Sequence, residues 1–278
     1  MAGHRSGADT VCVVLPGDDA TEAFAALMRR DEAAIPLDEA CLLIAAHADP
    51  TLDVAAELSR LDDLAAQVRR PTLDGLRGTL FDDLGFTGDR TSYYDPRNSY
   101  LHEVVRRRRG IPITLSILAI AVGRRVGVPL EPVGMPGHFL LRDKVDRSVF
   151  LDAFDGGAVL DADGCRARYI EVAGDAEGFS EDLLRPAGNH AVVARVLANL
   201  ASVHRAHADH EAVVWVQRLR LAIPTTPRTE WVDLASALVA TGRYGAAADA
   251  FDQAAGVLDG ELRDGCLRSA RRMRARLN

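Results

Sequence analysis

The sequence has few of the features that mark secreted, membrane-bound or metal-binding proteins. Its four cysteines are far apart and form no CxxC pair, so neither a zinc site nor a disulfide framework is predicted. The apolar stretch from Leu115 to Val122 is much shorter than the roughly 20 residues that a membrane-spanning helix needs. The N-terminal run TVCVVL is too short for a secretory signal peptide. We therefore expect a cytoplasmic protein that has no membrane segment.

Positive charge is also scarce. The chain carries 33 basic and 40 acidic residues, which gives a net charge of -7, and Lys144 is its single lysine. This sign of charge disfavours nucleic acid as a partner, because nucleic-acid-binding proteins use basic surface to neutralise phosphates. The 48% apolar content of the 278 residues is enough for the core of one large or two ordinary domains. No pattern of cofactor ligands is present, so no cofactor is expected.

The spacing of apolar residues divides the chain into three parts. Residues 1–19 lack sustained periodicity and predict a loose arm. Residues 20–175 begin with amphipathic helices, and short runs of strand character (LEPVGM, HFLLR and VFLDAF) then predict a small antiparallel sheet packed on them. The charged, glycine-rich stretch GDAEGFSEDLLRPAGNH marks a domain boundary before the third part.

The third part, residues 189–278, is helical in pattern and contains an internal repeat. LASVHRAHADHEAV from Leu200 aligns with LASALVATGRYGAA from Leu234 at an offset of 34 residues. This is the period of tetratricopeptide helix pairs, in which small residues allow two antiparallel helices to pack closely. An all-α tail of helical repeats is therefore predicted.

Three histidines of this tail follow one another at intervals of three. His204, His207 and His210 have a spacing that can place metal ligands on one helix face. No carboxylate or cysteine pattern accompanies them, so they are interpreted as histidines on the surface of the repeats.

A histidine and an aspartate in the region of strand character can form a pair. His138 begins a predicted strand after a Pro-Gly turn, and Asp152 lies in the next predicted strand. Adjacent antiparallel strands can place two such side chains on one face, where the carboxylate orients the imidazole and stabilises its charged form. The spacing alone favours a structural pair over a catalytic one.

A longer pattern surrounds this pair and carries a resemblance. The stretch YYDPRNSYLHEVVRRRRGIPITLSILAIAVGRRVGVPL, followed by GMPGHFLLR and FLDAFDGG, resembles the SirB family of transglutaminase-like proteins. The upstream stretch LDEACLLIAAHADPTLDVAAELSRLDDLAAQV extends the resemblance, which covers most of residues 37–258. A tetratricopeptide-like tail is also consistent with this family. It implies an α+β fold with a helical N-terminal part, a papain-like core with a small antiparallel sheet, and an all-α tail.

Enzymes with this core use a Cys-His-Asp triad whose cysteine stands at the N-terminus of a core helix. The helix dipole lowers the pKa of the thiol there, and the histidine completes the activated nucleophile. The resemblance assigns His138 and Asp152 to the last two positions of the triad. The resemblance also implies that the nucleophile precedes a Gly-hydrophobic-Pro element by a helix of about four turns. Counting back by this distance from Gly127 of GVP reaches Pro112. Proline suits the first position of a helix, but it cannot attack a carbonyl.

Two hydroxyl groups follow Pro112 closely. Thr114 and Ser116 are two and four residues further on, and Ser116 shares a helix face with Pro112. A serine hydroxyl beside His138 would resemble a hydrolase triad. The apolar character of the helix favours the alternative, in which the hydroxyl donates to the carbonyl four residues earlier.

Two functional hypotheses follow from these residues. The first is a bacterial, non-catalytic transglutaminase-like protein with a regulatory role, whose former cleft and helical repeats bind a protein or peptide. The second is a hydrolase or acyltransferase that uses Ser116 or Thr114 with His138 and Asp152. We also predict that Asp152 accepts a hydrogen bond from His138, which requires the two side chains to lie on one face of the sheet.

Overall fold

The computed structural model describes residues 18–277 and has the predicted α+β fold. Along the chain, the strands of a small sheet are preceded and followed by helices. The expected N-terminal arm falls, up to residue 17, outside the described residues, and the first helix begins at Asp18. The helices are α1 (Asp18–Met28), α2 (Leu37–Ala48), α3 (Val54–Ala66), α4 (Leu73–Arg77), α5 (Leu101–Arg107), α6 (Pro112–Val126), α7 (Ala162–Ala173), α8 (Asn189–Ala206), α9 (His210–Leu221), α10 (Glu230–Ala240), α11 (Tyr244–Val257) and α12 (Gly260–Arg274). The strands are β1 (Thr87–Gly88), β2 (Arg109–Gly110), β3 (Leu130–Val133), β4 (Leu140–Asp143), β5 (Phe150–Asp152) and β6 (Ala158–Leu160).

Helix α6 lies at the centre of the main core. It begins with Pro112 at its first position, where the missing N–H would have had no partner in the helix. It ends at Gly127, whose left-handed φ of 79° is a conformation that glycine adopts without strain. Eleven of its fifteen residues are buried, as predicted, and Arg124 and Arg125 near its end pair with Asp38. None of the helices within residues 18–277 is long and apolar enough to cross a membrane.

The sheet is antiparallel, with its strands in the order β3-β4-β5-β6. In its register Leu141 pairs with Leu151, which places residue 140 opposite Asp152. His138 precedes residue 140 by two positions and therefore projects on the same face as Asp152, as its diagonal neighbour. The order of the strands thus brings the two side chains of interest together.

Helices α8 to α11 form two hairpins with the same turn geometry. Helices α9 and α11 begin at His210 and Tyr244, 34 residues apart, which is the offset seen in the sequence. Each hairpin turns through a residue with left-handed φ, Ala208 at 55° in the first and Gly242 at 74° in the second. The turn hydrogen bonds are equivalent, since the amide of Asp209 donates to the carbonyl of residue 204 and the amide of Arg243 to that of residue 238.

The first hairpin is part of the main core rather than an appendage. Apolar side chains of α8 and α9 pack with α6 and with the N-terminal helices; they include Val192, Val193, Val196, Leu197, Leu200, Val216 and Leu219. Helices α10 to α12 and the other face of α9 bury a second apolar cluster. The described part of the tail is therefore joined to the core through α8 and α9.

Candidate functional site

The predicted pair of His138 and Asp152 is formed. His138 Nε2 donates to Asp152 Oδ2 over 2.9 Å, and both side chains are buried. His138 lies in the turn before β4, and Asp152 is the last residue of β5, so the pair depends on the register of these two strands. The edge of the Phe154 ring lies against the imidazole, with 6.3 Å between ring centroids.

Asp152 is held by four donors and is ionised. Besides His138, the Nε of Arg168 in α7 contacts Oδ2 at 2.9 Å. The amides of Phe154 and Asp155 donate to Oδ1 over 3.1 and 3.2 Å. Burial by itself would raise the pKa of Asp152, but the hydrogen bond from His138 and the charges of His138 and Arg168 outweigh it, so this pKa lies below its ordinary value.

Two arginines of this cluster were missed by sequence reasoning. Arg168 contacts Asp152, and Arg195 of α8 donates from its two terminal nitrogens to the carbonyls of Met135 and His138, each over 2.8 Å. Arg195 thus fixes the backbone of the turn that carries His138. Neither residue follows a local pattern, because each acts from a helix far along the chain from its partner.

The N-terminus of α6 contains no available nucleophile at the predicted position. Pro112 is the first residue of the helix and is buried. Thr114 is buried too, and its hydroxyl donates to the carbonyl of Asn98 over 2.7 Å, with the carbonyl of Ile111 at 3.1 Å. It also accepts from the amide of Ile111 over 3.2 Å. The Thr114 hydroxyl is therefore committed to backbone groups.

Ser116 makes neither of the contacts considered for it. The residue is fully buried, and its Oγ has no hydrogen-bond partner among the described residues. The expected bond to the carbonyl of Pro112 is absent, which corrects that expectation, and no hydrogen bond to His138 is formed. The first turns of this helix pack among the apolar side chains of the main core.

The remaining polar atom of the imidazole is Nδ1, which makes no hydrogen bond within the described part of the chain. The side chain of His138 is only 7% exposed, so little of the ring is open to solvent. With Nε2 occupied by Asp152 and no hydroxyl or thiol hydrogen-bonded to Nδ1, the cluster can hold and orient an imidazole. It does not present an activated nucleophile.

The cysteines of the described residues do not replace the missing group. Cys41, Cys165 and Cys266 are free and buried, and Cys12 lies outside the described residues. Burial, followed by the charges of Asp161 and Asp152, raises the pKa of Cys165 to about 12, so its thiol stays protonated. Within residues 18–277 no group of three or more metal-binding side chains is present.

A second histidine–aspartate pair joins the core to the tail. His204 of α8 is buried, which corrects its interpretation as a surface residue. Its Nδ1 contacts Asp209 Oδ2 at 3.1 Å, and the hydroxyl of Tyr100 lies 3.0 Å from its Nε2. Burial lowers the pKa of His204 more than Asp209 raises it, so the ring is neutral, with Nδ1 donating to Asp209 and Nε2 accepting from Tyr100. Asp209 also caps α9 by accepting from the amide of Ala212 over 3.1 Å.

This second pair borders a cavity of about 540 Å³ between the core and the first hairpin. Trp215 of α9 lies in its wall, stacked on His47 of α2 with 5.3 Å between ring centroids. Tyr100 and His204 line the same cavity. Tyr100 and His204 are each 6% exposed, as is His138, and the small exposed part of their rings borders this cavity.

The family comparison agrees with the resemblance at the level of the superfamily. The sequence profile of the transglutaminase-like superfamily matches residues 49–198, which include Pro112, His138, Asp152, Arg168 and Arg195. The match ends within α8, so the helices from α9 onward lie beyond it.

Several known proteins are similar to the chain. The UPF0162 protein of Xylella fastidiosa (strain Temecula1) is 37% identical over 212 residues, which are 71% of this chain and 75% of that protein. The UPF0162 protein of Pseudomonas aeruginosa is 31% identical over 182 residues, 62% of this chain and 66% of that protein. Human F-box only protein 21 is 40% identical over 121 residues, 40% of this chain and 19% of that protein. No solved structure matches the chain.

Proposed function

The chain belongs to the transglutaminase-like superfamily, and from this premise we propose that it is a non-catalytic, cytoplasmic member with a regulatory role. In this proposal it acts by binding a protein or peptide through its C-terminal helix pairs. We assign these helix pairs to the tetratricopeptide type and the whole chain to the SirB group. One observation carries the proposal: α6 begins with Pro112, and neither Thr114 nor Ser116 is hydrogen-bonded to His138.

The two hairpins support a binding role. Stacked helix pairs present extended grooves in which a peptide or a partner helix can bury apolar side chains. In this chain two cavities, of about 540 and 320 Å³, border helix α9 of the tail. The His138 cluster is buried and serves in this proposal to hold the sheet and α7 together.

Chemical labelling tests the non-catalytic part of the proposal. The intact protein is treated with a fluorophosphonate probe and, separately, with iodoacetamide, alongside the variant His138→Ala. The expected result is no labelling that depends on His138. Labelling that His138→Ala abolishes would contradict the proposal.

Site-directed photocrosslinking in cells tests the binding part. A photoreactive amino acid is placed at Gln253, which is exposed in α11 beside the smaller cavity, or at Val145, which is 82% exposed in a turn of the sheet region. The proposal expects a discrete crosslinked protein from position 253 and none from position 145. The same crosslinks from both positions, or none from position 253, would contradict a binding role of the tail.

The second candidate is a hydrolase or acyltransferase that uses Ser116 or Thr114. One observation favours Ser116, because its hydroxyl is buried without a hydrogen-bond partner among the described residues, and a buried polar group of this kind calls for an explanation. This candidate predicts that Ser116→Ala, and not Thr114→Ala, removes fluorophosphonate labelling. The first proposal predicts no difference between these variants.

A further inference from the structure

One face of helix α9 borders two cavities. The larger cavity lies between the core and the first hairpin and is lined by Trp215. The smaller cavity lies in the tail and is lined by Leu221. Arg218 lines both cavities. These residues are three positions apart and therefore lie on one side of the helix. The two cavities are thus neighbouring sections of one groove, which we call the α9 groove.

The first section of the α9 groove is aromatic. Trp215, His47, Tyr100 and His204 provide its rings, and Pro96 lies beside them. Burial lowers the pKa of both His47 and His204, so the imidazoles are neutral near pH 7. Rings of this kind bind apolar or aromatic side chains through their faces.

The second section is apolar and lies between α9, α10 and α11. Leu221, Trp231, Leu234 and Leu238 provide its apolar lining. From Trp215 to Leu221 the groove follows α9 for about 9 Å, since each helical residue advances the axis by about 1.5 Å. A ligand helix would cover this distance with two apolar side chains about two turns apart.

Arg218 separates the two sections and has no ion-pair partner within residues 18–277. The charged groups around it are paired: Arg243 with Glu211, and Asp249 with Arg274 at 3.5 Å. Asp209 is in contact with His204 at 3.1 Å. Because His204 is neutral, the charge of Asp209 stays uncompensated in the first section, and Arg218 is the unpaired positive charge between the two apolar sections.

We propose that the α9 groove binds an amphipathic helix of a partner protein, which places an acidic side chain against Arg218 and an apolar side chain in each section. The groove is walled by helices, and no free strand edge borders it, which favours a bound helix over an added strand. This inference rests on the proposed binding function of the tail and adds the chemistry of the partner.

The test uses a designed peptide and the two tryptophans of the chain. The peptide is a stapled helix with leucines at positions i and i+7 and glutamate at i+3; its control carries glutamine at i+3. Trp215→Phe leaves Trp231 as the reporter in the second section, and Trp231→Phe leaves Trp215 in the first. Fluorescence of each variant is followed as peptide is added.

The glutamate peptide should change the fluorescence of both reporters and bind about tenfold more tightly than the glutamine peptide. Arg218→Gln should remove this difference, whereas Arg185→Gln, in the exposed segment before α8, should preserve it. Equal binding of the two peptides, or a difference that survives Arg218→Gln, would overturn the acidic partner but not a binding role of the tail. If neither tryptophan responds, the α9 groove does not bind a helix of this design, whereas a discrete crosslink from position 253 would still support a binding role of the tail.

Discussion

The two histidine–aspartate pairs of this chain differ in what lies on the other side of the imidazole. His138 is hydrogen-bonded to Asp152 and makes no hydrogen bond to a hydroxyl or thiol within residues 18–277. His204 is hydrogen-bonded to Asp209 and accepts from the phenol of Tyr100 beside an open cavity. The first pair has the position that the family resemblance assigns to a catalytic dyad, whereas the second pair was not expected from the sequence and borders a groove. Both histidines are 6% exposed.

The difference shows that a carboxylate beside an imidazole does not define a function. In the first pair the carboxylate is charged and is shared with Arg168, so the pair acts as a link between the sheet and α7. In the second pair the ring is neutral and connects the core to the tail. The charge state and the third partner of each imidazole decide what it does.

Breaking the first pair should give the largest effect. Asp152→Asn removes a fully buried charge that pairs with Arg168 and His138, and it should lower the free energy of unfolding by about 3 kcal/mol. Urea denaturation followed by circular dichroism measures this. Asp155→Asn is the matched control, because that carboxylate also pairs with Arg168 but is 43% exposed, and it should cost less than about 1 kcal/mol. Equal losses of stability in the two variants would contradict the conclusion that Asp152 holds the cluster together.

Breaking the second pair should cost less. Tyr100→Phe leaves the buried Nε2 of His204 without its donor and should lower the free energy of unfolding by about 1 to 2 kcal/mol. The matched control is Tyr94→Phe, since Tyr94 is 71% exposed, and it should change stability by less than about 0.5 kcal/mol. A Tyr100→Phe protein as stable as the wild type would show that the phenol does not join the core to the tail.

The contributions of the two pairs to stability should be lost in different pH ranges. The pKa of His204 lies below its ordinary value of 6.5, mainly through burial, so the unfolded chain takes up a proton before the folded protein does. The stability from His204 is complete above about pH 6.5 and decreases as the pH falls below it. The pKa of Asp152 lies below its ordinary value of 3.8, so its contribution is retained until the pH falls below about 4.

Urea denaturation of Trp231→Phe between pH 7 and pH 5, followed by Trp215 fluorescence, measures the contribution of His204. Stability should decrease over this interval, and the decrease should be smaller when His204→Gln is added. The same slope with and without His204→Gln would assign the acid response to other groups, such as His47 or His102, whose pKa values are also lowered by burial.

The smallest effect is expected at Ser116. Its hydroxyl is buried without a partner, so Ser116→Ala removes an unsatisfied polar group and should leave stability unchanged within about 0.5 kcal/mol or raise it slightly. Thr114→Ala, which removes the bond to the carbonyl of Asn98, should by comparison destabilise the protein by about 1 kcal/mol. Thermal unfolding of the two variants provides the comparison, and a larger loss from Ser116→Ala would reveal a partner for its hydroxyl.

The sequence predicts the parts of this structure that depend on local periodicity. The apolar pattern around Leu115 identifies the buried helix, and the offset of 34 residues identifies the repeated hairpin. The contact between His138 and Asp152 is predictable because β4 and β5 follow one another in the chain and pair antiparallel, so the alternation of side chains along them decides which residues share a face.

The residues that were missed act over long distances in the chain. Arg195 reaches His138 from α8, and His204 meets Tyr100 across 104 positions. The spacing of His204, His207 and His210 suggests one helix face, but α8 ends at Ala206 and His210 begins α9, so the three histidines do not share a helix. The spacing also does not indicate that the core covers His204. Such contacts follow from the packing of α8 on the core, which no local pattern specifies.

The most direct test of the central claim is the thiol pKa of the variant Pro112→Cys, measured from thiolate absorbance near 240 nm, with Pro112→Ser as the background. If Pro112 occupies the former nucleophile position, the new thiol lies at the N-terminus of α6 beside His138. Its pKa should then fall well below the ordinary value of about 8.5 and rise again in Pro112→Cys combined with His138→Ala. A thiol pKa at or above about 8.5, unaffected by His138→Ala, would contradict the account.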